Sequence, residues 1–223
     1  MALLLRGALI EYGTSFLGPI PNVVIFQFNP ETLTRVLQIP PRPVGPTQRE
    51  TGQAGEPPIE KITLNALFSA ADQLNSGNIL ARTVGIGPQL AALEKMVFPV
   101  TTPGGLIGAA IDAVGSLIGG DKKKDPTQPI PRQKSPRVLF IWGLTRLLPV
   151  VIESMTITEQ QYDSLLNPVE AQVSIGLAVT PVSKCDNDVV GKGAMDYTNM
   201  ASDTLATVNL ANTIALAADL IPF

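Results

Sequence analysis

Between Val169 and Val179 every second side chain is apolar: Val169, Ala171, Val173, Ile175, Leu177 and Val179 alternate with Glu170, Gln172, Ser174 and Gly176. A period of two is what a pleated strand uses to bury one face and wet the other, and a helix cannot use it. One half-buried strand obliges the rest of the chain to supply sheet neighbours and a core. Residues 59–70, IEKITLNALFSA, alternate in the same way, with Ile62, Leu64, Ala66 and Phe68 against Lys61, Thr63 and Asn65. In VVIESMTITEQQYD, residues 150–163, Ser154, Thr156 and Thr158 fall on one side and Met155 and Ile157 on the other. RVLFIWG, residues 137–143, is apolar on both faces, as suits a central strand.

Nearer the start, residues 3–12 and 22–28 read as strands joined by the loop-rich GTSFLGPIPN. Arg6 and Glu11 interrupt the apolar opening and no small-x-small cleavage site follows, so a first strand is expected there rather than a signal peptide. Asn29-Pro30-Glu31 forms a hinge: Pro30 presets a turn angle, and Asn29 is expected to bond back to the turn amide. After it, Leu33, Leu37 and Ile39 alternate with Thr32, Thr34, Val36 and Gln38, while Arg35 interrupts the apolar side and marks a side that faces a neighbour or a channel. Asn167-Pro168 repeats the hinge between two later strands.

Helical periodicity occurs twice. GPQLAALEKMVF, residues 87–98, has Pro88 in the first turn and an inward stripe of Leu90, Leu93 and Val97. From about Ala194 the chain becomes alanine-rich, with Leu205, Val208, Ala211 and Ala215 on one face and Pro222 ending the helix. Two stretches read as insertions. Residues 40–58 are Pro/Gly/polar, either a loop or an extended arm on an adjacent subunit; residues 99–136 pass from glycine-rich apolar to basic and proline-rich. The apolar part of the second is too short and interrupted to span a bilayer. The expected architecture is mainly β with α: an antiparallel barrel or sandwich over residues 1–182, with one internal helix, then a loop and terminal helix over 183–223.

Composition narrows function. Lys and Arg number 16 against 19 Asp and Glu, a net charge of −3, so the basic surplus that neutralises nucleic-acid phosphates is missing. With no His and one Cys, the usual zinc and iron ligand sets and the usual neutral-pH base cannot be assembled, and no cofactor is expected. Cys185 has no intrachain partner and, beside Asp186 alone, no evident base. GSLIGGDK, residues 115–122, misses the phosphate loop because Asp121 stands where lysine must follow. Gly104 and Gly108 have a membrane-dimer spacing without a span around them, and the lysines of DKKKDP are bracketed by Asp121 and Asp125. Asp72, Glu153, Glu159 and Asp163 are the carboxylates available for acid–base work. On an ideal strand Glu153 and Glu159 would share a side at about 20 Å, too far apart to cooperate.

The ordered motifs carry a resemblance. Phe26, Phe28, Asn29, Pro30 and Glu31 match an F-x-F-N-P-E hinge; Pro136, Val138, Phe140, Trp142 and Gly143 match P-x-V-x-F-x-W-G; Tyr162 and Asp163 match an aromatic–Asp step, and Pro168 and Ala171 a P-x-x-A step. In this order they resemble the tube-protein-like N-terminal domain of contractile injection systems, over about two thirds of the chain. The resemblance implies a fold of the phage tail-tube type and a structural, non-enzymatic role in the baseplate. It implies a homo-hexameric ring that joins a trimeric spike to the inner tube protein, templates tube assembly and touches other baseplate proteins. The particle would be assembled in the cytoplasm, with release outside the cell as a further step. Many relatives carry a LysM-type domain after the barrel; residues 183–223 are too short for one. Ser154, Thr156, Thr158, Gln172 and Ser174 are the expected channel-facing residues. Neither nucleic acid nor stable membrane insertion is expected. Two alternatives from other classes are a stand-alone small-ligand-binding β-barrel and a carboxylate-dependent hydrolase.

Overall fold

The computed structural model describes residues 5–12, 22–40, 57–71, 74, 79–98, 136–181 and 188–220, without the side chains of 80, 81 and 215–220. The insertions, the segment around Cys185, the near-miss phosphate loop, Asp72 and Pro222 lie outside these residues, apart from the insertion edges at Pro40, Pro57, Pro58 and Pro136. Seven strands form one antiparallel sheet: β1 (Ala8–Tyr12), β2 (Val23–Ile25), β3 (Leu33–Gln38), β4 (Ile59–Ser69), β5 (Arg137–Trp142), β6 (Arg146–Tyr162) and β7 (Pro168–Val179). Their order is β2-β1-β5-β6-β7-β4-β3. Three helices among the described residues accompany them: α1 (Ile79–Val84), α2 (Gly87–Lys95) and α3 (Val189–Leu220).

Both halves of the sheet feed one core. Leu9, Phe26 and Phe140 from one half, and Ile62, Phe68 and Ile175 from the other, are all at 0% exposure in a single cluster. The sheet therefore curls. The hinge after β2 helps it do so, because the Ser69 amide at the end of β4 donates to Gln27 Oε1 at 2.8 Å. The edge strands β2 and β3 are joined through the chain at this hinge but form no ladder with each other among the described residues.

The alternating segments become β4 and β7, paired from Lys61↔Ala178 to Ser69↔Glu170. β5 lies between β1 and β6, as its two apolar faces require; Val138 and Phe140 enter the core and Leu139 on the reverse is 8% exposed. α3 docks on that reverse side. Asp188 caps it, accepting from the Gly191 amide at 2.8 Å and from the Tyr12 hydroxyl at 2.7 Å, with Arg137 3.5 Å away. Two turns on, Thr198 Oγ1 donates to Leu147 O and accepts from Leu147 N at 2.7 and 2.9 Å.

The structure corrects several expectations. α1 was not anticipated. The stripe of α2 is Leu90 and Leu93 followed by Met96, buried at 2%, whereas Val97 lies beyond the helix at 40% exposure. α3 starts at Val189, ahead of Ala194, and its expected apolar face is solvent-facing: Leu205 is 57% and Val208 54% exposed. Glu11, one of the two charges that interrupt the apolar opening, is 1% exposed.

Candidate assembly surface

The two Asn-Pro hinges are built by the same device, a carboxamide that reaches the backbone of another segment. Asn29 does not bond back to its own turn. Its Oδ1 accepts from the Gly7 amide at 3.0 Å and its Nδ2 donates to Leu5 O at 2.7 Å, extending the β1–β2 contact past the end of β2. Phe26 is buried at 0%, while Phe28 is 44% exposed and Glu31 points to solvent. At the second hinge Asn167 Nδ2 donates both to Asp163 Oδ2, at 2.9 Å, and to Thr83 O, at 3.0 Å. Asp163 Oδ1 accepts from the amides of Leu165 and Asn167, each at 2.8 Å. The Asn167 side chain first, then these amides, hold the Asp163 carboxyl below its ordinary range. The Ile86 amide donates to Pro168 O at 2.9 Å, which clamps the β6–β7 loop to the α1–α2 junction. Gly85 is obligatory there: its φ is +58° and a Cβ would come 2.1 Å from Pro168 O.

The remaining motif residues have structural addresses. Phe140 and Trp142 stack with centroids 5.9 Å apart and planes at 22°. Gly143 takes φ +66° in the turn from β5 to β6. Ala171 is buried at 0%. Tyr162 is 52% exposed, and its hydrogen bond to Glu159 raises its phenol pKa.

Ser154, Thr156 and Thr158 are brought together with Gln172 and Ser174. Register pairs Ser154 with Gly176, Thr156 with Ser174 and Thr158 with Gln172, and β4 adds Thr63 and Asn65 opposite Gly176 and Ser174. All lie on the face opposite the core, a small-residue polar surface across β6, β7 and β4. Met155 and Ile157 sit on the other, half-buried face, as alternation requires. A cleft of about 550 Å³ at one end of the polar surface is lined by Phe28, Asn29, Glu31, Asn65, Gln160 and Gln172.

The carboxylates are dispersed. A register shift between Ile152 and Ser154 makes Glu153 the extra residue of a bulge. Its side chain reaches the outer face, where Lys61 Nζ donates to Oε2 at 2.8 Å, while Glu159 stands on the core side opposite Ala171. The two do not share a side, contrary to simple alternation. Arg35, expected to mark a side facing a neighbour or channel, bonds Glu60 of β4 within its own chain. Among the described residues no group of three or more metal-ligating side chains converges, and no helix is long and apolar enough to cross a membrane.

What the arrangement offers is hydrogen-bonding edge. β6 has 17 residues, but β5 pairs only with Arg146–Val150. From Val151 to Tyr162 the edge away from β7 has no ladder partner among the described residues. Among the described residues β3 likewise pairs only with β4, leaving Leu33–Gln38 without a partner on its far side. Val36, Leu37 and Ile39 are 50%, 57% and 82% exposed beside that open edge. No protein-family model and no curated protein matches this chain.

Proposed function

We propose that this chain is a structural ring subunit in the baseplate of a phage-tail-like contractile injection system. Six copies would join the trimeric spike to the inner tube and template the tube's assembly. The observation that carries the reading is the pair of open edges, which lie at opposite ends of the layer β6-β7-β4-β3. Neighbours in this layer are all antiparallel, so β3 of one copy laid against β6 of the next continues the alternation. The two edges differ, so the contact is head-to-tail, and a head-to-tail contact closes into a ring when its rotation permits. Closure removes the unpaired edges that otherwise invite uncontrolled association. The number six comes from the motif resemblance.

In this ring the face carrying Ser154, Thr156, Thr158, Gln172 and Ser174 lines the passage. Short neutral side chains suit a surface along which other protein must move without sticking. Assembly takes place in the cytoplasm, and the protein leaves with the particle. Purified particles test the reading: the chain is expected at the spike-proximal end of the axial conduit, and its deletion should leave particles without tube. Finding it outside the conduit, or finding normal tubes in its absence, overturns it.

A further inference from the structure

The open edge of β6 borders a hollow of about 430 Å³, walled by Val97 and Phe98 after α2 and by Ile152, Met155 and Ile157 of β6, with Glu94, Glu153 and Ser154 completing its lining. Phe98 is 60% exposed at its rim. At the other end of the layer, Leu37 and Ile39 stand exposed on β3. Their parity decides where they could go. Arg35 is opposite Ile62, whose side chain is at 0% exposure in the core, so Arg35, Leu37 and Ile39 all lie on the core side of the sheet. Met155 and Ile157 are on that same side of β6.

We infer that the hollow is the socket for a second copy of this chain, which inserts Leu37 and Ile39, and that one strand register seats them. This rests on the ring reading above and adds its residue-level contact. A one-residue slip would put Leu37 on the polar face, so only every second register is allowed. Among those, one alone places Ile39 opposite Met155, Leu37 opposite Ile157 and Arg35 opposite Glu159. A two-residue slip in one direction sets Arg35 against Ile157, and in the other sets Leu37 against Glu159. In the favoured register Thr34 meets Gln160, Val36 meets Thr158 and Gln38 meets Thr156 on the opposite face. Arg35 already donates through Nε to Glu60 and keeps its other guanidinium donors for Glu159. Exposed aliphatic knobs on one edge, a hollow with an apolar wall beside the complementary edge, and Arg35 opposite Glu159 fit a second copy better than a nucleic-acid partner.

Disulfide trapping tests the register in the full chain with Cys185→Ser, so that only introduced thiols react. The Leu37→Cys/Ile157→Cys variant is expected to give a ladder of covalent multimers ending at the closed ring on oxidation, and each single variant none. Val36→Cys/Ile157→Cys, with the wrong parity, is expected to give at least tenfold less. A disulfide closed within one chain, crosslinking to a different protein only, or an equal ladder from the wrong-parity pair overturns the inference. Light scattering separates the two levels. Rings without the Leu37–Ile157 ladder sink the register alone, and a monomer at every concentration, with tube and spike proteins added, sinks the ring reading as well. The unmodified cysteine background offers a check should the variants misfold: Glu159→Lys, on an exposed side chain, is expected to raise the ring's dissociation constant at least tenfold at low salt while circular dichroism stays unchanged. An unchanged constant overturns the Arg35–Glu159 contact.

Discussion

Asn29 supplies one donor and one acceptor to Leu5 and Gly7, just ahead of β1, and its carboxamide acts as a rung of ladder. Asn29→Ala removes both bonds, and a loss of about 1–3 kcal/mol in urea unfolding is expected. Gly85 has no room for change: Gly85→Ala meets Pro168 O and an unfavourable φ together, and a loss of more than about 1 kcal/mol should appear in the same assay. Asp163 adds a pH dependence. Its folded pKa is depressed, so its contribution is present above the unfolded value near 3.9 and is lost as pH falls through the folded pKa. The wild type should therefore lose stability below about pH 4 more steeply than Asp163→Asn, read from unfolding midpoints across pH. These residue types stand out in the sequence, but their partners do not. A sequence displays that Asn precedes Pro; it does not display that Leu5 or Thr83 will be within reach, because that depends on how the sheet curls.

Among the elements, the strands were the most legible, since their buried faces impose period two on residues 59–69 and 168–179. β6 was legible in its second half and obscured in its first, where Pro149 and the neighbouring apolar residues give no alternation. The bulge at Glu153 was invisible because an inserted residue leaves no mark on composition, yet it moves that carboxylate to the opposite face from the expected one. α1 was missed for its length of six residues, too short to show a period. α3 is legible in its alanine content but its buried stripe is not: among the described residues its first turns meet the sheet, through the Asp188 cap and Thr198. Burial raises the pKa of Asp188, but the Gly191 amide, Tyr12, Arg137 and Lys192 outweigh it and hold the carboxyl low. Asp188→Ala should cost about 0.5–2 kcal/mol and loosen α3. Hydrogen exchange of the unassembled chain should find amides of 201–214 exchanging faster than those of 191–198, since only the latter lie beneath tertiary contacts.

For the whole molecule, the seven-stranded antiparallel sheet and the C-terminal helix follow from alternation and alanine content. The curl of the sheet and the location of its open edges do not. An edge is defined by what fails to pair, and no single segment encodes that. β3 and the second half of β6 each look like ordinary strands in sequence; in the fold they bound a four-stranded layer. The proposed role depends on those edges meeting in trans. Cryo-electron microscopy of the protein assembled with its tube and spike partners tests this most directly. The account predicts a closed ring in which each copy gives four strands to the wall, with continuous density from β6 of one subunit to β3 of the next. Isolated copies, or a ring whose subunits touch elsewhere and leave both edges bare, would contradict it.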